Sequence, residues 1–420
     1  MTQWLYLCND LGIPLDGTKG ASEHVRAITR ALSSAGRSVS VLAPRGRLPA
    51  DHPAIQIPSP CGSEARRLGD DVRSWLALSE APSGMAAEFA QIAYDAQLAR
   101  ALIETDLAPR VDVVVERLSL FSAAGLAFAR HRGAAYLVEM NSPMANEAAK
   151  FRDAGLNALA LRVESETLRG AGAVMTVSEE LRQYVINKVG VSADRVVTVP
   201  NGVELELFSQ RHDRIAARDQ ARVPQDAVVF GFVGSLKGWH GVDVLLKAFG
   251  DVLRQIPTAH LLVVGEGRSM QSLRAVSEEH GVSNCVTWLG GVEHTSIPRI
   301  LAAVDVAVAP YLPLESFYFS PLKLYEYMAA GLCVIASRAG QISELIDDGH
   351  NGLLVQAGDV GSLTDAMIRV GRDAALRARL GVMAQQSVQR CGWDQTAAQI
   401  VEIARRVQRS TRNIPAGAAT

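Results

Sequence analysis

The chain has 420 residues, 48% hydrophobic and 20% charged, enough for two or three globular domains at about 150 residues each. A formal net charge of −2 removes the electrostatic case for a nucleic-acid partner. Cys8, Cys61, Cys285, Cys333 and Cys391 follow neither a disulfide framework nor metal-ligand spacing, Met1–Trp4 lack the basic start of a secretory signal, and no apolar run reaches the roughly 18 residues of a membrane span, so a reducing cytoplasm fits best.

Short apolar runs alternate with amphipathic stretches along the whole chain. Trp4–Cys8 predicts a strand. Ser22–Ala35 predicts a helix with Val25, Ile28, Leu32 and Ala35 on one face and Gly36 as its stop, and Val39–Leu42 the next strand. Residues 51–90, mixed in Pro, Gly, Ser and charge, predict an insertion rather than a third domain. Val113–Val115, Ala135–Val138, Val174–Val177 and Val196–Val199 continue the series, which closes at the turn Pro200-Asn201-Gly202-Val203. After the polar segment Gln210–Gln225, a second series runs through Val228–Val233, Leu261–Val264, Val286–Leu289, Val304–Ala309 and Val334–Ala336, with helices such as Val242–Leu253 between. Asp394–Arg409 predicts a closing helix and Ile414–Thr420 a disordered tail. This alternation predicts α/β architecture with two doubly wound parallel sheets, because a single sheet would be unusually long. The expected domains are 1–205 and 206–385, followed by a helix over 386–410.

The turns after these strands hold the candidate chemistry. In Asp16-Gly17-Thr18-Lys19-Gly20-Ala21-Ser22, Gly17 and Gly20 let backbone N–H groups approach a ligand ahead of a helix. Lys19 reads as a solvated loop lysine and His24 as a surface or packing residue. Glu116-Arg117 predicts an ion pair. At the end of the 135–138 run, Asn141 can donate to and accept from a ligand hydroxyl, while Glu139 can orient such a hydroxyl or take its proton. The alternative, with Asn141 capping a turn and Glu139 paired to Arg152 or another base, stands beside it. Ser178 reads as an N-cap with Glu179 and Glu180 in the first turn, since no elbow of glycines surrounds it as a nucleophile.

In the second series, Gly234-Ser235-Leu236-Lys237-Gly238-Trp239-His240 offers Lys237 either as a cation for phosphate or as a solvated turn lysine. His240 reads as a cation, a neutral donor or a packed turn residue. Gly265-Glu266-Gly267-Arg268 lacks the full dinucleotide fingerprint, which argues against a nicotinamide enzyme. Gly290-Gly291-Val292-Glu293 is a further glycine turn. The most informative stretch is Ser320-Pro321-Leu322-Lys323-Leu324-Tyr325-Glu326-Tyr327-Met328-Ala329-Ala330-Gly331-Leu332-Cys333. Ser320 suits a helix cap, Pro321 the first turn and Gly331 the stop. A helix N-terminus after a parallel strand binds anions through its free amides, and Lys323 and Glu326, three residues apart, add a cation for phosphate and a carboxylate for hydroxyls. The predicted guest is a sugar nucleotide.

This stretch resembles the signature of the family-4 nucleotide-sugar glycosyltransferases, retaining enzymes of the GT-B fold, and the resemblance runs from the first glycine loop to Gly352. The family usually carries two glutamates separated by seven residues. Glu326 matches the second, which binds the nucleotide ribose there, while Tyr318 stands at the first and Glu315 lies three residues early. A branch of the family with Ser-Pro-x-Lys ahead of a single glutamate reads similarly. The resemblance implies two Rossmann-like domains facing across a crevice, an acceptor domain first and a donor domain second, with the last helix returning to the first. It implies a glycine loop facing the donor phosphates, with Gly17 and Gly20 contacting phosphate or acceptor by backbone. It also puts Ser235 and His240 where the family has an arginine and a lysine on the diphosphate, with Lys237 between them. By the same resemblance Gly265 lies against the nucleotide, the Val292 turn reads the base, and Ser320, Pro321, Leu322 and Lys323 hold diphosphate. Asn141 stands where many relatives have a histidine near the transferred sugar.

The implied reaction moves a sugar from a nucleoside diphosphate to an acceptor hydroxyl with retention, the departing phosphate helping to deprotonate the acceptor. Lys237, Glu326, Asn141 and Glu139 are its expected catalytic residues, and no metal or other cofactor is required. Two rivals remain: a nucleotide-sugar 2-epimerase on the same architecture, and a non-catalytic nucleotide-sugar binder, suggested by Tyr318, Ser235 and Asn141. Arg45, Arg47, Arg66, Arg67 and Arg73 would suit an anionic membrane surface, and a solvated insertion explains them equally well.

Overall fold

The computed structural model describes residues 2–60, 62–77, 82–105 and 107–412; the predicted tail and Cys61 lie outside them. The chain forms two compact units, Met1–Pro200 with Trp393–Thr420, and Asn201–Gly392. The first is built on β1 (Gln3–Cys8), β2 (Ser38–Leu42), β3 (Ile55–Ile57), β4 (Val113–Arg117), β5 (Ala135–Met140), β6 (Ala173–Thr176) and β7 (Val196–Thr198). These strands pair in parallel in the order β3-β2-β1-β4-β5-β6-β7. The second unit has β8 (Val228–Val233), β9 (Ala259–Val264), β10 (Val286–Gly290), β11 (Val306–Ala309), β12 (Cys333–Ser337) and β13 (Leu353–Val355), again parallel, in the order β10-β9-β8-β11-β12-β13.

Helices cover both faces of each sheet, so the strands are apolar on both sides and read as continuous runs. In the second unit the period of two divides these runs between two cores. Val229, Leu262, Val264, Ala307 and Val334 enter one, while Phe230, Phe232, Leu261, Val263, Val308 and Ile335 enter the other. Full burial of each large side chain contributes about 1.5–3 kcal/mol.

Residues 51–90 are not an insertion. They supply β3, the helix Gly62–Leu76 and the start of the helix Met85–Glu104, which together form the crossover to β4. The two helices pack closely because Gly69 has no Cβ to meet Ala90, 2.8 Å from where one would lie. The short strands β3 and β13 were also absent from the predicted series. The closing helix, Trp393–Arg412, belongs to the first unit: Gln399 donates to the Thr198 carbonyl at 3.2 Å, and Val407 fills the space left by Gly172. No helix among the described residues is long and apolar enough to cross a membrane.

Each sheet has one point where the strand order reverses, between β1 and β4 and between β8 and β11. Loops leaving the C-terminal ends of two such strands diverge, which opens a crevice for a ligand.

Candidate functional site

In the second unit, the reversal between β8 and β11 brings the Gly234 turn beside the segment that leads into the helix Leu322–Ala329. The Tyr327 hydroxyl pins this helix to the end of β8, accepting from the Val233 amide at 2.7 Å and donating to its carbonyl at 3.2 Å. The helix starts two residues after Ser320, so Ser320 is not its cap. Pro321 takes that position and offers no side-chain acceptor, which leaves first-turn amides at Leu322 and Lys323 for a ligand. Ser320 is bound elsewhere: its Oγ accepts from the Asn201 amide at 3.2 Å and its carbonyl from Asn201 Nδ2 at 2.7 Å.

Lys323 Nζ is buried and has no hydrogen-bond partner. It sits 4.2 Å from the centroid of the Phe232 ring and 5.3 Å from that of Tyr311. A Cβ on Gly234 would lie 2.5 Å from this nitrogen, and Gly234 has φ +148°, so glycine is needed there for both space and conformation. Burial pushes the Lys323 ammonium down from 10.5 to about 7, with Glu326 opposing. Among the described residues nothing neutralises it by direct contact, so an anion from outside would meet it with a large electrostatic gain.

His240 is not a cation. Burial, then Lys323 and Lys237, lower its pKa to about 2, and Nδ1 donates to the Ser235 carbonyl at 2.5 Å, leaving Nε2 as an acceptor. Ser235 is exposed, and Lys237, also exposed, lies 4.6 Å over the Trp239 ring. Gly265, with φ +132°, lets its turn press against the Gly234 carbonyl. Its amide donates to Gly290 at 2.7 Å, the Leu236 amide to Glu266 at 2.9 Å, and the Gly291 amide to Glu266 Oε1 at 3.1 Å. The turns after β8, β9 and β10 therefore form one stitched rim. Val292 lines a separate cleft of about 170 Å³ with Ala217, Ala221, Leu289 and Ile300, and none of the residues above takes part in it.

Glu326 is buried, and its Oε1 lies 2.7 Å from His294 Nε2, while the His294 ring packs 5.5 Å from that of Phe208. Nothing local in the sequence pointed to His294, because its partner is 32 residues away.

The first unit concentrates polar groups at its own reversal point. Cys8, Arg117 and Glu139 are register neighbours on β1, β4 and β5. The Glu139 carboxylate accepts from Arg117 (2.8 Å), Asn141 Nδ2 (2.5 Å) and the Tyr6 hydroxyl (3.0 Å), and its Oε1 lies 2.6 Å from His24 Nε2. Burial alone would raise its pKa, but His24, then Arg117 and Asn141, hold it well below the carboxylate range. Such a group orients its neighbours and is a weak proton acceptor. The ion-pair alternative for Glu139 is thus the one observed, with Arg117 and His24 in place of Arg152. His24 is buried rather than a surface residue, its ring edge-on to Trp393 at 5.1 Å.

The expected Glu116–Arg117 pair does not form, since consecutive strand residues point to opposite faces. Glu116 instead meets Asn9 Nδ2 at 2.6 Å and the Tyr136 hydroxyl, close to Asp95, which accepts from the Ala123 amide at 2.9 Å. Burial raises the pKa of both carboxyls, and their mutual repulsion adds to it for Glu116. In the loop after β1, the carbonyls of Leu15 and Gly17 accept from Arg26 at 2.5 and 2.9 Å, and Gly20 is exposed at the start of its helix. Ser178 caps as expected, accepting from the Leu181 amide at 3.3 Å.

Two family models match in tandem, "Glycosyltransferase Family 4" over residues 18–207 and "Glycosyl transferases group 1" over residues 227–373. A D-inositol 3-phosphate glycosyltransferase of Stackebrandtia nassauensis is 29% identical over 244 residues, 56% of this chain and 54% of that protein. The chain spans about half to two thirds of the length of the curated relatives it matches. Among solved structures, the sucrose-phosphate synthase of Thermosynechococcus elongatus superposes with a TM-score of 0.71 at 21% identity, covering 98% of this chain and 100% of that one. Anabaena HepE in complex with UDP-glucose gives 0.71 at 19% identity, covering 97% and 100%. The chain belongs to the family-4 glycosyltransferases and has their GT-B fold of two parallel-sheet α/β domains.

Proposed function

We propose that the protein transfers a sugar from a nucleoside-diphosphate sugar to an acceptor hydroxyl with retention of anomeric configuration. The observation that carries this reading is the buried Lys323 ammonium, without a hydrogen-bond partner, at the strand-order reversal beside the first-turn amides of Leu322–Ala329. Lys323, Lys237 and those amides meet the charge that develops on the departing diphosphate, and no metal is needed for that task. Glu326, oriented by His294, takes the ribose hydroxyls. The backbone of Gly265 lies along the nucleoside, and Ser235 and neutral His240 line the phosphate side. In the first unit Asn141 holds a hydroxyl of the sugar or acceptor, and Glu139 positions Asn141 rather than taking a proton. The proton passes to the departing phosphate. HepE was crystallised with UDP-glucose, which makes UDP-sugars the first donors to test. The setting we propose is the cytoplasm, where Cys8, Cys285, Cys333 and Cys391 stay as the free thiols seen here.

The test is proton NMR of the sugar released or transferred from an α-linked UDP-hexose. Retention predicts that the α anomer forms first. A β product would contradict the reading, and donor binding without turnover would favour a non-catalytic binder.

A further inference from the structure

The chain enters the second unit at Asn201, and its next residues touch both ends of the site just described. Asn201 holds Ser320 by two bonds across 119 residues of sequence: amide to Oγ at 3.2 Å, and Nδ2 to the carbonyl at 2.7 Å. Both residues are buried, and Ser320 immediately precedes the Pro321–Lys323 turn. Seven residues on, Phe208 is buried and packs its ring on His294, which in turn bonds Glu326. The segment is itself anchored, because the Val203 amide donates to the Cys391 carbonyl at 2.9 Å and Val203 bridges Gly392, where the chain leaves the unit.

Two separate contacts therefore run from one short segment to the phosphate end and the ribose end of the site. Pro321 has no donor, and its helix has no side-chain cap, so the direction of the Leu322 and Lys323 amides depends on how the Ser320 peptide is held. A carbonyl clamped by a buried amide has little freedom to rotate. Lys323, with no hydrogen-bonding partner of its own, adds nothing to that restraint.

We propose that Asn201 is a positioning residue for nucleoside-diphosphate binding, fixing the Ser320–Lys323 turn, and that Phe208 does the same for Glu326 through His294. The proposal rests on the donor-site reading above. Asn201 acts on the phosphate end alone, whereas Phe208 acts on the nucleoside end and is felt by ligands with or without phosphate.

The test is calorimetric titration with UDP, GDP and ADP, then with the parent nucleoside of whichever binds the wild type best. Asn201→Ala should weaken the diphosphate about tenfold, the order expected for losing one buried hydrogen bond, and leave the nucleoside unchanged. Phe208→Leu should weaken both by a similar factor. Hydrogen exchange of free Asn201→Ala should quicken at the 322–324 amides, with far-ultraviolet circular dichroism unchanged. Should Asn201→Ala fail to fold, Ser320→Ala, which removes the Oγ hydroxyl and keeps the bond from Asn201 Nδ2 to the carbonyl, should weaken the diphosphate in the same selective way. If the wild type binds the diphosphate and both the Asn201 and Ser320 variants bind it equally well, or lose nucleoside and diphosphate alike, the positioning role falls while the donor site stands. If the wild type binds none of the three diphosphates, both fall together.

Discussion

At the scale of single residues, the buried Lys323 ammonium carries a desolvation cost that a bound anion or the loss of its proton relieves. The free folded protein gives up its proton near pH 7, whereas an unfolded lysine keeps it to about 10.5. Between those values the unfolded chain binds more protons, so stability attributable to this residue rises with pH. Lys323→Met should remove that slope and raise ligand-free stability at pH 7 by about 1–3 kcal/mol, the cost of one unpaired buried polar group. Urea unfolding at pH 7 and pH 10 measures both effects, and the same variant should lose nucleotide binding. An unchanged slope would show that Lys323 is not held as described. His240 is neutral down to about pH 2, so it should impose no step on nucleotide affinity between pH 5.5 and 7.5.

At the scale of elements, the sheet of the first unit carries buried carboxyls of opposite character on its two faces. Glu139 ties β5 to β4 through Arg117, to β1 through Tyr6 and to the helix Gly20–Ser34 through His24. Its depressed pKa means that its stabilisation is present above the ordinary carboxylate range and is lost as the pH falls below it. Glu139→Gln should destabilise the protein by about 3–5 kcal/mol at pH 7, because Arg117 would be left buried and unpaired. Asp95 and Glu116 behave in the reverse sense. Their raised pKa values mean that the folded state holds extra protons between about pH 4 and pH 8, so their contribution falls as pH rises through that window. Glu116→Gln should therefore increase the urea midpoint at pH 8 and leave it nearly unchanged at pH 4.5. A fall at pH 8 would mean that Glu116 is ionised in the folded protein.

These elements also show what was legible in the sequence. Strands covered on both faces announce themselves as unbroken apolar runs, and β1, β4, β8 and β9 were found that way. β3 and β13, three residues each, stand outside the predicted series, and the 51–90 crossover escapes the apolar pattern because its close packing relies on Gly69 and Ala90 rather than on large apolar residues. Lys323 and Glu326 were legible because the helix start, the cation and the carboxylate fall within a few residues. His24 with Glu139, His294 with Glu326, and Asn201 with Ser320 were not, since each pair meets only through the fold.

At the scale of the whole molecule, the proposed transfer requires the second unit to bind a nucleoside diphosphate at Lys323 and Glu326. A ligand at 100 times its dissociation constant adds about 2.7 kcal/mol to the state that binds it. The most direct test is thermal unfolding of the wild type, Lys323→Met and Glu326→Ala with saturating UDP-, GDP-, ADP- and dTDP-sugars. Stabilisation of the wild type by one nucleotide class, absent from both variants while their ligand-free folds persist, is the predicted result. A folded wild type that responds to none of the four, or variants stabilised as fully as the wild type, would contradict it.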